Sequence, residues 1–134
     1  MEQINHFING AAFPNSSSRS GQVFNPALGK VIRTVGFAET ADAQAAIAAA
    51  KAAFPEWQAT SLAKRSQIMF SFREILNARK AELAAIITEE HGKTLPDALG
   101  EVTRGLEVVE FATGLAHLLK GNRSEEHTSE LQSH

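Results

Sequence analysis

Residues 40–57 read TADAQAAIAAAKAAFPEW, and this alanine-rich run marks where the chain changes from strands to helices. Its apolar residues recur at the three- and four-residue spacing of one helix face: Ala43, Ala46, Ile47, Ala50 and Phe54. Thr40 is of a type that caps a helix N-terminus, and Pro55 is of the type that ends one. The run therefore predicts a helix from Thr40 to about Phe54.

Two helices of similar periodicity are predicted next. The second runs from a Ser61 cap to Leu76, with Lys64, Arg65 and Arg73 expected on its solvent-exposed face. Its apolar stripe consists of Leu62, Ile68, Met69, Phe72, Ile75 and Leu76. The third covers about residues 78–90, ends at a His91-Gly92 cap, and is expected to turn Leu83, Ile86 and Ile87 inward.

A fourth helix opens at Thr94 or Leu95 and has Pro96 in its first turn, where proline is tolerated. We expect it to run to about Lys120, with Gly121 ending it. Its predicted buried face is Ala98, Val102, Leu106, Val109 and Ala116.

The region before residue 37 has the alternation and the turn residues of β-strands. His6-Phe7-Ile8 leads into Asn9-Gly10, a strong hairpin signal, and residues 15–21 read as a polar loop. Residues 25–30, NPALGK, predict a turn before a β-branched strand over residues 31–35. The predicted fold class is α/β: an N-terminal hairpin or strands, then four helices.

The last segment, residues 122–134, has one apolar residue and no periodicity, so composition predicts a disordered tail. Within it, RSEEHTSELQSH at residues 123–134 resembles the translation of a common short-read sequencing adapter. We therefore expect two parts: a natural body at residues 1–121, cut near Gly121, and a non-native tail at residues 122–134.

Composition excludes several classes of function. The 134 residues carry a net charge of −2, which does not point to nucleic acid or to an anionic membrane. The N-terminus lacks the pattern of a signal peptide, so we expect a cytoplasmic protein. The chain contains no cysteine, so it has no thiolate nucleophile and no zinc-thiolate site.

Histidines and glycines do not form a site motif in the sequence. No two histidines of the body have the spacing of metal ligands, and neither the dinucleotide-binding nor the P-loop glycine pattern occurs. We therefore predict no catalytic, metal or cofactor-binding residue. Gly92 and Lys93 are explained by a helix terminus, with lysine favoured at its negative end.

Arg104 is the candidate binding residue. It lies three residues after Glu101 and three before Glu107, so a surface ion pair with Glu101 explains it on spacing alone. The other interpretation is that Arg104 points into a site, where its planar fork binds a carboxylate through two parallel hydrogen bonds.

Several segments, in this order, resemble the N-terminal region of the aldehyde dehydrogenase superfamily. They are FING at residues 7–10, NPALGKVI at 25–32, AFPEW at 53–57 and EEHGKT at 89–94, and the resemblance covers residues 4–121. RGLEVVEFA at residues 104–112 is similar to the methylmalonate-semialdehyde dehydrogenase branch. Arg104 matches an arginine that holds the substrate carboxylate there.

The resemblance implies the chemistry of the parent enzyme. This branch, associated with valine catabolism, oxidises malonate and methylmalonate semialdehydes with NAD and passes the acyl group to coenzyme A. A cysteine thiolate attacks the aldehyde, and the resulting thiohemiacetal gives hydride to the nicotinamide. The parent is expected to be a homo-oligomer. We expect this chain to be inactive alone and to bind neither cofactor well, because it lacks the cysteine and most NAD contacts.

Two other interpretations stay open. The parent could act on another aldehyde, such as succinate semialdehyde or betaine aldehyde. Alternatively, the chain could be a helical interaction module without catalysis, because a face left uncovered would resemble a binding surface.

Overall fold

In the computed structural model, which describes residues 2–119, five short strands precede five helices. The strands are Glu2–Ile4 (β1), His6–Ile8 (β2), Ala11–Phe13 (β3), Ser20–Asn25 (β4) and Lys30–Gly36 (β5). The helices are Thr40–Ala59 (α1), Leu62–Ala78 (α2), Lys80–His91 (α3), Leu95–Thr113 (α4) and Leu115–Leu118 (α5). The α/β class and the order of strands before helices are confirmed.

Strands β2 and β3 form the predicted hairpin. His6 pairs with Phe13 and Ile8 with Ala11 in antiparallel register. The two loop residues both have positive φ, 54° at Asn9 and 75° at Gly10. Positive φ at both central positions defines the turn type whose twist suits a hairpin.

The other three strands form a sheet in the order β1-β5-β4. β1 lies parallel to β5, and β4 is antiparallel to it through the predicted turn. Asn25 holds that turn, since its Oδ1 accepts from the backbone N–H of Ala27 at 3.0 Å and of Leu28 at 3.2 Å. The loop prediction over residues 15–21 was two residues too long, because β4 begins at Ser20.

Helix α1 corrects the sequence prediction at both ends. Glu39, not Thr40, precedes the helix, and its backbone N–H donates to Oδ2 of Asp42 at 2.9 Å. Pro55 does not end the helix, which continues to Ala59. The last turn is held from α2, because Nη2 of Arg65 donates to the carbonyl of Trp57 at 2.8 Å. These contacts offset the hydrogen bond that a proline cannot donate.

The face of α1 that was expected to be buried is mostly exposed within residues 2–119. Ile47 and Phe54 are exposed, whereas Asp42 is buried. Strand β2 packs on α1, and the large helices α2–α4 do not cover it. The sequence pattern identified the apolar face correctly but could not show that nothing in this part of the chain covers it.

The core lies among α2, α3 and α4. Its buried side chains, Ala84, Ala98, Val102 and Leu106, include the first three of the five residues predicted for the buried face of α4. Leu83, Ile87 and Leu99 pack around it, but Ile86 is exposed, contrary to prediction. Most buried residues are small, so the core is thin.

Helix α2 has two neighbouring rows of apolar residues, one half-buried and one exposed. Leu62, Met69 and Leu76 are half-buried, and α2 packs on α4 and α5. Ile68, Phe72 and Ile75, which were expected in the same buried stripe, are exposed. The prediction that Arg65 and Arg73 face water was also wrong, because both donate hydrogen bonds to neighbouring elements and are half-buried.

Helix α4 ends earlier than predicted. It stops at Thr113, and the short helix α5 follows Gly114. Oγ1 of Thr113 donates to the carbonyl of Glu110 at 2.7 Å, and the Gly114 N–H reaches back only three residues, to Phe111. The predicted end at Lys120 and Gly121 and the predicted tail lie outside the described residues. Among residues 2–119, the helices include none long and apolar enough to cross a membrane.

Candidate functional site

Arg104 lies in the middle of α4, on the side opposite the core. Its side chain is exposed, and its Nη1 lies 3.6 Å from the point where a Cβ on Gly100 would stand. The guanidinium therefore lies back along the helix toward its N-terminus, the usual direction for long helical side chains. Within the described range 2–119, Arg104 forms no ion pair with another side chain.

The carboxylate that was expected to pair with Arg104 is held elsewhere. Glu101 forms an ion pair with Nζ of Lys93, which is only 19% exposed. This hydrogen bond is the main reason that the pKa of Glu101 lies below its usual value, and the charge of Arg104 contributes less. The predicted Glu101–Arg104 pair is thus replaced by Glu101–Lys93, and the fork of Arg104 stays open to a ligand.

Lys93 belongs to a tight junction between α3 and α4. Gly92 ends α3 with a φ of 85°, and its N–H donates to the carbonyl of Thr88 at 2.9 Å. A Cβ at Gly92 would lie 2.8 Å from Cγ of Pro26, so the β4–β5 turn presses against this junction. Thr94 then caps α4 by accepting a hydrogen bond from the backbone N–H of Asp97, and the helix begins at Leu95, one of the two predicted starts.

Arg33 attaches the end of α3 to the sheet. From β5, its guanidinium donates to Glu89 at 2.8 Å and to Glu90 at 3.4 Å, and lies 3.5 Å from Glu2 of β1. The hydrogen bond to Glu89 is the main cause that raises the pKa of Arg33 above its usual value. Arg33 therefore links the two parallel strands, β1 and β5, to α3, the helix that precedes α4.

A second arginine fixes the far end of α4. Nη2 and Nε of Arg73 on α2 donate to Oε1 of Glu110 at 2.6 and 3.0 Å, and Nη1 donates to Glu74 at 2.8 Å. With the Lys93–Glu101 pair near the start of α4 and the buried Val102 and Leu106 between, the helix is held along most of its length. Arg104 thus projects from a helix whose backbone is held in place, and its exposed guanidinium is accessible to an anionic ligand.

The histidines do not assemble with acidic residues into a metal site in the part of the chain that is described, where no group of three or more candidate ligands was found. His6 is the one that approaches a carboxylate, with Nε2 at 3.9 Å from Oδ2 of Asp42. Asp42 already accepts from Oγ of Ser16 at 2.8 and 2.9 Å, which together with the Glu39 N–H lowers its pKa. This cluster ties the N-terminal strands to the start of α1.

The ion pairs that hold α3 and α4 in place were not predicted from the sequence. Lys93 was explained by the helix terminus alone, and Arg73 was placed in water. The ion pairs cross a junction or join two helices, so no three- or four-residue spacing reveals them. For Arg33, the only available signal is an arginine inside a β-branched strand, facing an acidic pair at residues 89–90.

Comparison with known proteins gives the family. A model of the aldehyde dehydrogenase family matches residues 13–133. Because this range includes most of the predicted tail, the division at Gly121 stays a prediction. Malonate-semialdehyde dehydrogenase of Pseudomonas aeruginosa is 44% identical over 124 residues, which are 92% of this chain and 25% of that protein.

Two further relatives agree. A Dictyostelium discoideum protein described as a mitochondrial, acylating methylmalonate-semialdehyde/malonate-semialdehyde dehydrogenase is 42% identical over 89% of this chain and 22% of its own length. A Sinorhizobium meliloti 1021 structure, described as a methylmalonate-semialdehyde dehydrogenase complexed with NAD, superimposes with a TM-score of 0.90 at 43% identity. That alignment covers 95% of this chain and 26% of the other.

The chain thus spans about a quarter of the length of the relatives it matches. The sequence resemblance and the fold class are confirmed. Because the family model and the superposition cover most of the 134 residues, this chain belongs to the aldehyde dehydrogenase family.

Proposed function

We propose that this chain is part of an NAD-dependent dehydrogenase of malonate or methylmalonate semialdehyde, and that Arg104 binds the substrate carboxylate. The observation that carries the proposal is the guanidinium of Arg104, which forms no ion pair within residues 2–119, while Lys93 holds the nearby Glu101. The relatives described as malonate-semialdehyde dehydrogenases favour this substrate class over succinate semialdehyde or betaine aldehyde.

A semialdehyde of this kind has a carboxylate at one end and the reacting carbonyl at the other. Two parallel charge-assisted hydrogen bonds from Arg104 would fix both the position and the direction of the molecule. Each hydrogen bond to a charged group contributes about 1.5–3 kcal/mol. The aldehyde carbon would then point away from α4, toward a nucleophile that these 134 residues, which include no cysteine, do not supply.

The described residues do not fit NAD. A pyrophosphate binds where a glycine-rich turn leads from a strand into a helix N-terminus. Here β5 is followed by Phe37, Ala38 and Glu39 before α1 begins. The carboxylates of Glu39 and Asp42, both with a lowered pKa, lie at that N-terminus and would repel a phosphate. We therefore propose that the NAD contacts, like those to coenzyme A, come from other parts of the enzyme.

The proposal includes inactivity of the 134-residue chain by itself. The transfer to coenzyme A finds support in the acylating relative of Dictyostelium. The cytoplasmic location, the role in valine catabolism and the homo-oligomeric parent stay predictions. A helical interaction module without catalysis is disfavoured, because residues 2–119 superimpose on part of a dehydrogenase.

A segment exchange tests this function. In the Pseudomonas aeruginosa malonate-semialdehyde dehydrogenase, the segment that aligns with residues 2–119 is replaced by these residues. We expect reduction of NAD with malonate semialdehyde by the exchanged enzyme and none by the purified 134-residue chain. An exchanged enzyme that is soluble and folded but inactive, or turnover by the chain alone, would contradict the proposal.

A further inference from the structure

Helix α2 carries an exposed apolar stripe that the site does not use. Ile68, Phe72 and Ile75 recur at the spacing of one helix face and are 50%, 47% and 57% exposed. The neighbouring row on the same helix, with Leu62, Met69 and Leu76, is half-buried, and α2 packs on α4 and α5. The two rows form one continuous apolar face that is covered along one edge only, so a further element is needed to cover the edge with Ile68, Phe72 and Ile75.

The residues beside the stripe are polar. Lys64, Ser71 and Glu74 are exposed and border the stripe on the side away from the half-buried row, so the apolar surface has a polar edge toward solvent. Leaving three large side chains in a row half-exposed to water is unfavourable, and such patches mark sites of interaction.

The comparisons indicate what covers the stripe. The superposition on the Sinorhizobium meliloti protein has a TM-score of 0.90 and covers 95% of this chain, yet only 26% of the other. The arrangement of α2 among α3, α4 and α5 is thus the one found in a protein about four times longer, and the uncovered side is available to its remaining part.

We infer that the Ile68–Phe72–Ile75 stripe is a preformed docking surface for the part of a malonate-semialdehyde dehydrogenase that these residues do not supply, and that these 134 residues, when provided as a separate molecule, bind that part. The inference rests on family membership and on the exposure of α2, not on the role of Arg104.

Co-purification tests the inference without any measurement of turnover. The 134-residue chain is co-expressed with tagged Pseudomonas aeruginosa malonate-semialdehyde dehydrogenase from which the segment aligned with this chain has been deleted. We expect the chain to be recovered with the tagged protein in near-equal amounts. Ile68→Asp/Phe72→Asp should lower the recovery about tenfold or more, because two buried apolar contacts are replaced by charges.

The matched control is Ala63→Asp/Gln67→Asp, which adds the same charge to exposed positions on another side of α2. It should be recovered like the unchanged chain, and circular dichroism should show the same helix content in all three. Recovery of the stripe variant at the control level would overturn the inference. So would failure to recover the unchanged chain, or a homodimer in gel filtration that the stripe substitutions dissociate.

Discussion

Replacing Gly92 with alanine tests how the junction before α4 is held. Its φ of 85° lies in the left-handed region, which costs an L-residue about 1–2 kcal/mol. The new Cβ would lie 2.8 Å from Cγ of Pro26, and relieving such overpacking costs about 1–3 kcal/mol more. We expect Gly92→Ala to lower the free energy of unfolding by about 2–5 kcal/mol.

Gly29 is the matched control, because its φ is 62° and nothing lies within 4 Å of its would-be Cβ. Gly29→Ala should therefore lose only the conformational part, about 1–2 kcal/mol. Pro26→Ala in the Gly92→Ala background removes the Cγ at 2.8 Å and leaves Cβ at 3.6 Å, so it should restore part of the loss.

The assay is urea unfolding followed by far-ultraviolet circular dichroism. Because the core is thin, an osmolyte such as trimethylamine N-oxide can be added equally to every variant to raise the folded baseline. If Gly92→Ala and Gly29→Ala destabilise the chain equally, or if Pro26→Ala restores nothing, then the turn does not press on the junction as described.

Three other substitutions test the packing and the electrostatics. The pKa of Asp42 is lowered by the Glu39 N–H and the Ser16 hydroxyl, so its stabilisation is present above the unfolded value of about 3.9 and is lost as pH falls through the lower folded value. The urea midpoint should therefore drop on acidification below about pH 4, and less so in Asp42→Asn. Leu106→Ala should cost about 2–4 kcal/mol, against less than about 0.5 kcal/mol for the exposed Val108→Ala; equal losses would contradict the position of the core. Gly105→Ala, with open space at its Cβ, should raise the free energy of unfolding by about 0.5–1 kcal/mol, and a loss would show that α4 is crowded there.

The sequence predicted the local structure well where the signal is local. The Asn9-Gly10 turn, the Ser61 cap and the Gly92 end of α3 all depend on one or two residues, and all are confirmed. Three of the five residues predicted for the buried face of α4 are buried, Ala98, Val102 and Leu106, because they face one continuous core. Val109 is half-buried, and Ala116 lies in α5.

The failures have non-local causes. Pro55 was expected to end α1, but the following turn is held by Arg65 from the next helix. Ile47, Phe54 and Ile68 were expected to be buried, and their pattern is that of buried residues; what covers them is not part of residues 2–119. The periodic spacing of apolar residues identifies which face of a helix is buried in the folded protein. It does not identify the element that packs against that face.

The candidate site was predicted only in part. Arg104 was selected by resemblance, whereas spacing alone favoured a pair with Glu101. Whether an arginine pairs with a nearby carboxylate depends on which other cations can reach that carboxylate. Here the turn at Gly92 brings Lys93 to Glu101. Such competition is decided by tertiary geometry, so sequence spacing could not resolve it.

The role of Arg104 is tested most directly by substrate discrimination in the exchanged enzyme. In Arg104→Gln, kcat/KM for malonate semialdehyde should fall about 10- to 150-fold, the equivalent of one of the two charged hydrogen bonds, because the glutamine amide can still donate one hydrogen bond while the carboxylate loses its cationic partner. Propanal, which has no carboxylate, should react unchanged, and Glu107→Gln on the same helix should alter neither substrate. An equal loss for both aldehydes, or no loss for either, would contradict the assignment of Arg104 to the substrate carboxylate.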